Sequence, residues 1–354
     1  MRTRSWALKS RVFRGLRLQT QAVKELSPWA HFNSRDNLRI VKIFYATPNS
    51  QQLPPGHRFP MEKYELLRHR LSNEVQGCEL QLAEPVTEGQ LSLAHDVEYV
   101  SAVFEGRLSP AQQRDIGFPW SPGMVERARG SSGATLMACR TALKEGVAAN
   151  IAGGTHHAYK DQGSGFCVFN DTAVAARSIQ LEAQRASAGS FGAKQMLRVG
   201  VIDLDVHQGN GTAKIFEHDS SVFTLSIHGA KNFPFKKEVS DLDVELADGC
   251  TDHEYLQALE AALLRFDSLF KPDLIIYLAG ADPYLGDRLG RLGLSMQGLQ
   301  KRDQTVFDWA YSRGVPIAFS MAGGYAVPIS DTVQININTF KIAQEYSLKY
   351  AALR

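Results

Sequence analysis

The sequence contains few cysteines, no long apolar segment and no excess of one charge, and each absence excludes a class of protein. Its four cysteines in 354 residues lie too far apart for a Cys-x-x-Cys metal knuckle or a dense disulfide framework, so we expect a reducing compartment. No apolar run approaches the roughly 18 residues that a membrane span needs. The balance of 39 Lys and Arg against 37 Asp and Glu, a net charge of +2, disfavours a nucleic-acid binder that neutralises phosphates.

The remaining composition is that of an ordinary globular protein. Apolar residues make up 44% of the chain and charged residues 21%, with 29 Gly and 14 Pro. These values exclude collagen-like, disordered and coiled-coil chains. The length would suffice for two average domains, but an open α/β sheet can absorb it into one.

The first 38 residues differ from the rest because they are basic. No acidic residue precedes Glu25, whereas seven basic residues do: Arg2, Arg4, Lys9, Arg11, Arg14, Arg17 and Lys24. Arginines interleaved with serines and with apolar residues such as Trp6 and Phe13 are typical of an organellar transit peptide. We therefore interpret 1–38 as a leader to mitochondria or plastids. The alternative is a solvated basic tail or a wrongly assigned start codon, with the protein in the nucleus or cytoplasm.

The order of strand and helix patterns predicts the fold after the leader. Short β-branched and apolar runs predict buried strands at 40–45, 149–153, 197–203, 222–227, 274–279 and 316–321. Apolar residues at three- and four-residue spacing predict helices at 122–145, 252–269, 297–311 and 331–346. This repetition predicts an α/β fold, with a mostly parallel central sheet and helices on both faces, in a single domain over 39–354.

Reactive side chains follow four of the predicted strands, where open parallel sheets bind their ligands. Side chains two apart share a face of a strand, so Asp203, Asp205 and His207 should project together from the 197–207 segment. Buried carboxylates repel each other unless a cation or hydrogen bonds compensate. We predict that Asp205, His207 and Asp282 bind one divalent metal and leave a position open for water and substrate.

Two histidines and a tyrosine complete the predicted site. His156 and His157 follow a Gly-Gly turn, and neighbouring imidazoles can divide proton acceptance from proton donation. We expect Asp203 and Asn210 to orient these rings, because an oxygen partner fixes which nitrogen carries the proton. For Asp203, capping of the following turn is the alternative. Tyr325, after the last predicted strand, is expected to donate a hydrogen bond to an oxyanion.

Four segments carry these residues in an order and spacing that resemble the zinc-dependent histone deacetylase family. They are GGTHHAYKDQGSGFCVFND at 153–171, DLDVHQGNG at 203–211, GADPYLGD at 280–287 and AGGY at 322–325. The resemblance spans roughly Ile40 to the C-terminus and implies an arginase-like deacetylase fold. Gln208 and Asn210 make DLDVHQGNG similar to the class IV branch and to bacterial and plant proteins like it.

The resemblance also implies a role for each candidate residue. It implies one Zn²⁺ per chain, a catalytic histidine pair and a transition-state tyrosine, on Asp205, His207, Asp282, His156, His157 and Tyr325. Phe166 and Phe233 would form the walls of an acyl-lysine tunnel. Gly209 stands where a DxHxD motif supplies a third ligand, which disfavours a binuclear ureohydrolase.

The activity implied by the resemblance is hydrolysis of acetyl or other acyl groups from the ε-amino group of lysine, in histones or other proteins. Three alternatives stay open: a deacetylase of acetylpolyamines or other small amides, a long-chain lysine deacylase, and a non-catalytic acyl-lysine binder. The complete metal, histidine and tyrosine set argues against the binder, because binding alone needs no groups that activate water. The sequence leaves open the oligomeric state and whether the metal is Zn, Fe or Co.

The leader interpretation can be tested with a fusion protein. We expect residues 1–38 fused to a fluorescent protein to enter mitochondria or plastids, because the arginines precede any acid and the first predicted buried strand starts at Ile40. The chain from Asn37 onward should fold and remain active. Diffuse cytosolic or nuclear fluorescence from the fusion would contradict the interpretation.

Overall fold

A single parallel sheet organises the part of the chain that the computed structural model describes, residues 41–47, 51–188 and 196–353. Its eight strands are β1 (Val41–Tyr45), β2 (Cys78–Leu82), β3 (Val147–Asn150), β4 (Val199–Asp203), β5 (Val222–Gly229), β6 (Leu242–Leu246), β7 (Leu274–Leu278) and β8 (Ile317–Ser320). They run in the order β2-β1-β3-β8-β7-β4-β5-β6, with every neighbouring pair parallel. The predicted leader lies outside the described residues.

Helices cover both faces of this sheet, as the sequence predicts for an α/β fold. Those in the described ranges are α1 (Glu62–Glu74), α2 (Glu88–Leu91), α3 (Val97–Phe104), α4 (Pro110–Ile116), α5 (Pro122–Glu145), α6 (Asp171–Ser187), α7 (Asn210–Phe216), α8 (Asp252–Leu269), α9 (Met296–Ser312) and α10 (Ile329–Ala352). None of these helices is long and apolar enough to cross a bilayer. The four cysteines are free thiols.

The strand β7 shows why the central strands are apolar throughout. Leu274, Ile276 and Leu278 pack into a cluster with residues of α5 and α6, whereas Ile275 and Tyr277 pack into a second cluster with residues of α8, α9 and α10. Because helices bury both faces, the sequence of such a strand is a continuous apolar run, without the alternation of apolar and polar residues found in strands exposed on one face.

Local capping signals set the ends of the long helices. Ser121 accepts a hydrogen bond from the Met124 N–H at the start of α5, where Pro122 occupies the first turn. Thr251 and Glu254 form a capping box at the start of α8. The predicted bounds of these two helices, 122–145 and 252–269, match the structure to the residue.

One expectation about the site segment is wrong. The strand predicted at 197–203 begins at Val199 and ends at Asp203, so Asp205 and His207 lie in the loop beyond it and do not alternate along a strand. The chain turns here because Asp203 accepts a hydrogen bond from the Asp205 N–H, 3.2 Å away, instead of leaving that N–H to a neighbouring strand. Backbone contacts of the loop therefore bring these side chains together.

Candidate active site

Four loops at one edge of the sheet carry the predicted metal ligands, the histidine pair and the tyrosine. Because β3, β8, β7 and β4 are parallel neighbours, their carboxyl ends lie side by side, and the loops that follow them meet there. The loop after β3 carries the histidine pair, and the loop after β4 carries Asp205 and His207. The loops after β7 and β8 carry Asp282 and Tyr325.

Asp205, His207 and Asp282 lie close enough to bind one ion. One ligand-type atom of each lies within 4.8 Å of those of the other two, which is the one such group found among the described residues. Nδ1 of His207 is 2.9 Å from Oδ1 of Asp205 and 3.3 Å from Oδ2 of Asp282. The two aspartates are fully buried, and His207 is half-buried.

Backbone amides orient the two carboxylates. Asp205 accepts hydrogen bonds from the N–H of His207 at Oδ1, 3.0 Å, and from the N–H of Gly323 at Oδ2, 2.7 Å. Oδ1 of Asp282 accepts from the N–H of Val206 at 2.9 Å. The bond from His207 lies within the loop after β4, whereas the other two run between the loops after β4, β7 and β8. Each carboxylate is therefore also held by an amide from another loop.

Two features of this group fit a divalent cation. Oδ2 of Asp282 is buried and accepts no hydrogen bond from the described residues, which is costly for a carboxylate. A Cβ at Gly323 would come within 1.9 Å of that oxygen and 2.6 Å of Oδ2 of Asp205, so the chain keeps this space free of side chains. Two carboxylates and an imidazole form a donor set that suits zinc, and also iron or cobalt.

The ionisation of these groups reflects their crowding. Burial and the charge of Asp205 raise the pKa of Asp282 to about 7, while His207 opposes the rise. Burial lowers the pKa of His207, but its hydrogen bond to Asp205 and the nearby carboxylate of Asp282 outweigh burial and raise the pKa to about 10. Positive charge is therefore favoured between the two aspartates, and a metal ion can supply it in place of the proton.

The paired histidines have different partners. Nδ1 of His156 is 2.6 Å from Oδ2 of Asp203, and Nδ1 of His157 is 2.6 Å from Oδ1 of Asn210. The two ring centroids are 4.2 Å apart. Asn210 also donates from Nδ2 to the hydroxyl of Tyr159, 2.7 Å away, which fixes the amide so that its oxygen faces the imidazole.

These partners give the two imidazoles opposite ionisation. Burial lowers the pKa of His156, but the charges of Asp203 and Asp205 outweigh it and raise the pKa to about 9. Burial, together with the positive charges of His156 and His207, holds the pKa of His157 well below its usual value. His156 is therefore the charged member of the pair and His157 the neutral one.

Gly209 is small for a steric reason. A Cβ at this position would come within 2.3 Å of Oδ2 of Asp203, the oxygen that binds His156. A third carboxylate ligand at 209 would therefore displace the partner of the histidine, which favours a site for one metal.

Tyr325 is fixed through its backbone. Its N–H donates to Oδ2 of Asp287 at 2.5 Å, and its carbonyl accepts from Nε of Arg288 at 3.2 Å. Burial and the charges of Asp205 and Asp282 raise the pKa of Tyr325 well above its usual value. The hydroxyl therefore keeps its proton and can donate a hydrogen bond.

Phe166 and Phe233 flank the approach to these groups. Phe166 has a positive φ of 66°, held by a hydrogen bond of 2.7 Å from its N–H to the carbonyl of Ile116, and its ring centroid is 6.4 Å from that of Tyr325. The ring centroid of Phe233 is 4.9 Å from that of His157. A Cβ at Gly165 would meet His157 at 2.7 Å and Phe233 at 3.1 Å, so glycine keeps the approach open.

Comparison with known proteins identifies the family. The family model of the histone deacetylase domain matches residues 57–338 of the chain. The chain belongs to the histone deacetylase family. An uncharacterized protein of Picosynechococcus sp. is 43% identical over 82% of this chain and 92% of its own length. Histone deacetylase 2 of Arabidopsis thaliana is 35% identical over 57% of this chain, and the match spans about half, 51%, of that protein.

Other similar proteins cover more of the chain. Acetoin utilization protein AcuC of Bacillus subtilis is 30% identical over 83% of this chain and 78% of its own. A crystal structure of an HDAC homolog complexed with SAHA has a TM-score of 0.70 and 23% identity, covering 88% of this chain and 89% of its own. That of an HDAC homolog from Aquifex aeolicus has a TM-score of 0.68 and 24% identity, covering 87% and 88%. These two structures establish the histone deacetylase fold.

Lys63 is a buried cation that no sequence pattern identified. It lies against the tyrosine loop, the loop after β8 that carries Tyr325. Its Nζ donates to the carbonyl of Gly324 at 3.2 Å and lies 3.5 Å from that of Ala322. The ammonium is also 5.1 Å from the ring centroid of Tyr325. These carbonyls flank Gly323, whose N–H binds Asp205, so Lys63 holds the segment that joins Tyr325 to the candidate metal ligands.

Arg302 is a second residue that the sequence did not reveal. It is fully buried beside Asp303 in α9, and its Nη1 donates to the carbonyls of Gly280 at 2.6 Å and Leu204 at 3.3 Å. It thereby ties together the loops after β4 and β7, which carry the three candidate ligands. Neither Lys63 nor Arg302 follows a strand or belongs to a metal-binding pattern, so no sequence signal identified them.

The ligand assignment predicts what two substitutions do. Asp205→Ala and His207→Ala should each lose bound zinc and activity, because each removes one of three protein ligands. Metal analysis of the purified proteins after dialysis measures this. Asp267→Ala, at the end of α8 and the opposite edge of the sheet, is the control and should keep its zinc. Full zinc occupancy with normal turnover in either ligand variant would refute the assignment.

The position of Lys63 predicts a second result. Lys63→Met should keep bound zinc but lower kcat on the order of 10- to 100-fold, because a displaced tyrosine loop misplaces its hydroxyl. Lys63→Arg should recover part of the loss, since it can still donate to the two carbonyls. Glu62→Gln, at an exposed position of the same helix, is the control. A lower melting temperature with unchanged kcat in Lys63→Met would show that Lys63 only stabilises the fold.

Proposed function

We propose that this protein is a zinc-dependent amidohydrolase that removes acetyl or longer acyl groups from the ε-amino group of lysine in proteins. Membership of the histone deacetylase family supports a deacetylase, which is a hydrolase. The observation that supports zinc-dependent hydrolysis in particular is the convergence of Asp205, His207 and Asp282. Their ligand-type atoms lie within 4.8 Å of one another, beside a histidine pair and a buried tyrosine. A protein that only binds acyl-lysine would not need this set.

The donor set fits Zn²⁺, which Asp205, His207 and Asp282 would hold. When bound, the ion would supply Lewis-acid chemistry, polarising the amide carbonyl and making a water molecule a better nucleophile. The aromatic rings of Phe166 and Phe233 exclude bulk water from the approach, which strengthens electrostatic interactions within the site.

The neutral histidine is the candidate base. Asn210 presents its oxygen to Nδ1 of His157, so Nδ1 carries the hydrogen and Nε2 is free to accept a proton from the attacking water. His157 would then return that proton to the lysine nitrogen as the amide bond breaks. The depressed pKa of His157 favours its neutral form at neutral pH.

His156 serves a different purpose in this proposal. The aspartate beside it favours the imidazolium, which would stabilise negative charge on the reacting carbonyl without giving up its proton. Tyr325 would donate its hydroxyl hydrogen to the same oxygen, and its raised pKa supports a donor role rather than that of a nucleophile.

We also propose that the chain belongs to the class IV-like branch of the family, because it has Gln208 and Asn210. Gln208 donates from Nε2 to the carbonyl of Glu238 at 2.7 Å and accepts from the Glu238 N–H at 2.9 Å. These bonds anchor the loop that carries Phe233. Both branch-defining residues therefore act on the approach or on a catalytic imidazole.

Turnover of a substrate panel tests the proposed function. We expect the zinc-loaded chain to hydrolyse acetyl-lysine or longer acyl-lysine peptides, a chelator to abolish this activity, and added zinc to restore it. Hydrolysis of acetylpolyamines alone would instead favour a small-amide deacetylase. Binding of acyl-lysine peptides without turnover would favour the non-catalytic alternative.

Tyr325→Phe provides a sharper test within the same assay. Losing one such donor should lower kcat on the order of 100- to 1,000-fold while zinc content and KM change little, because the bond forms in the transition state. Tyr284→Phe is the matched control, since it removes a hydroxyl from a neighbouring loop that lies 3.3 Å from Asp331 at the start of α10. If kcat held and only KM rose, the Tyr325 hydroxyl would be a binding group.

A further inference from the structure

The approach to the histidines opens on a rim that carries exposed cations. On one side, Arg288 donates from Nε to the carbonyl of Tyr325 at 3.2 Å and from Nη2 to the carbonyl of Arg58 at 3.4 Å. Arg288 therefore places one exposed guanidinium beside Tyr325, and the backbone of Arg58, a second exposed arginine, lies next to that guanidinium. Their neighbour His57 has its ring centroid 5.8 Å from that of Phe166, which connects this side of the rim to the approach.

The other side of the rim is the loop after β5. Phe235 has its ring centroid 6.3 Å from that of Phe233, which itself contacts His157. Phe235 is 88% exposed, so its ring is accessible to a bound peptide. Lys236 follows it and is also exposed. We use "the rim" for Arg58, Phe235, Lys236 and Arg288.

The three cations of the rim are unpaired within the described ranges of the chain. Among the described residues, no carboxylate forms an ion pair with the side chains of Arg58, Lys236 or Arg288. The carboxylate of Asp287, the half-buried residue before Arg288, accepts hydrogen bonds from the backbone N–H groups of Leu289, Gly290 and Tyr325. An exposed acid, Asp115, precedes Ile116 on the side of Phe166, and its carbonyl accepts from the Gly165 N–H at 2.9 Å.

The cations are placed where a peptide substrate would cross. An acyl-lysine that enters between Phe166 and Phe233 leaves its own backbone at the rim, and each further residue extends the chain by about 3.3 Å. Side chains one or two residues from the acyl-lysine therefore lie over the loops that carry these cations. Charge complementarity at such a distance changes association and the productive orientation of the peptide.

We infer that the rim selects acyl-lysine in an acidic sequence context and disfavours both basic histone tails and acetylpolyamines. The inference rests on the proposed function, because it names the substrate class of the same site. Acidic side chains next to the acyl-lysine pair with Arg58, Lys236 and Arg288. Lysine or arginine in the same positions, or the amines of a polyamine, meet like charge.

Peptides that differ only in flanking charge test this inference. The zinc-loaded full chain is assayed on acetyl-lysine flanked on each side by two Glu, two Gln or two Lys, and on a single acetyl-lysine with blocked termini. We expect kcat/KM to fall from the Glu to the Gln to the Lys peptide, by about 10-fold overall, since several exposed pairs of modest strength act together. The preference should nearly vanish in about 1 M salt, where the screening length is about 3 Å.

Charge reversal identifies the residues responsible. Arg58→Glu combined with Lys236→Glu should invert the ratio of kcat/KM between the Glu and Lys peptides. The matched control is Lys144→Glu combined with Arg265→Glu, which changes net charge equally at exposed positions near the ends of α5 and α8, at the opposite edge of the sheet. The control should keep both the wild-type ratio and the turnover of blocked acetyl-lysine.

The outcomes of these assays distinguish failure of the inference from failure of the proposed function. A wild-type preference for the Lys peptide, or a ratio that the rim substitutions leave unchanged, overturns the inference while turnover of blocked acetyl-lysine preserves the proposed function. Absence of turnover for blocked acetyl-lysine and for every peptide overturns the proposed function and the inference with it. A ratio that inverts in the rim variant and holds in the control supports both.

Discussion

The placement of two carboxylates side by side in the interior is the constraint on which the site depends. Asp205 and Asp282 are both buried, and the cost of burying each ion is several kcal/mol unless opposite charge compensates it. Backbone amides satisfy three of the four carboxylate oxygens, two of them from neighbouring loops, and Oδ2 of Asp282 has the position that a cation would take. Gly323 keeps that position clear of side chains. The side chains of Arg302 and Lys63 hold the loops together by donating hydrogen bonds to backbone carbonyls of the loops.

The histidine pair shows how one partner atom changes the chemistry of a ring. An aspartate beside His156 and an asparagine beside His157 hold the rings in similar ways, at 2.6 Å in both cases. Only the aspartate adds charge, so the pKa values of the two imidazoles move apart. Two groups with separated pKa values can act as an electrostatic stabiliser and a base in the same reaction.

Much of this arrangement could be predicted from the sequence, for physical reasons. Long helices such as α5 and α8 carry strong periodicity and caps, and buried strands such as β7 are apolar throughout, so both were predicted. The edge strands β2 and β6 are only partly buried and carry charged residues. Their sequences therefore contain no continuous apolar run that would predict a strand. Lys63 and Arg302 were missed because they bind backbone carbonyls, and those bound by Lys63 lie 259 and 261 residues away. Such contacts leave no local pattern, whereas ligand residues directly after strands do.

The most direct test of the account is a crystal structure of the zinc-loaded protein with anomalous diffraction measured on both sides of the zinc edge. We expect one strong anomalous peak per chain, from a zinc ion bound by Asp205, His207 and Asp282 and adjacent to His157 and Tyr325. A peak elsewhere in the chain, two peaks sharing the site, or density for a hydrogen-bonded water in place of the metal would contradict it.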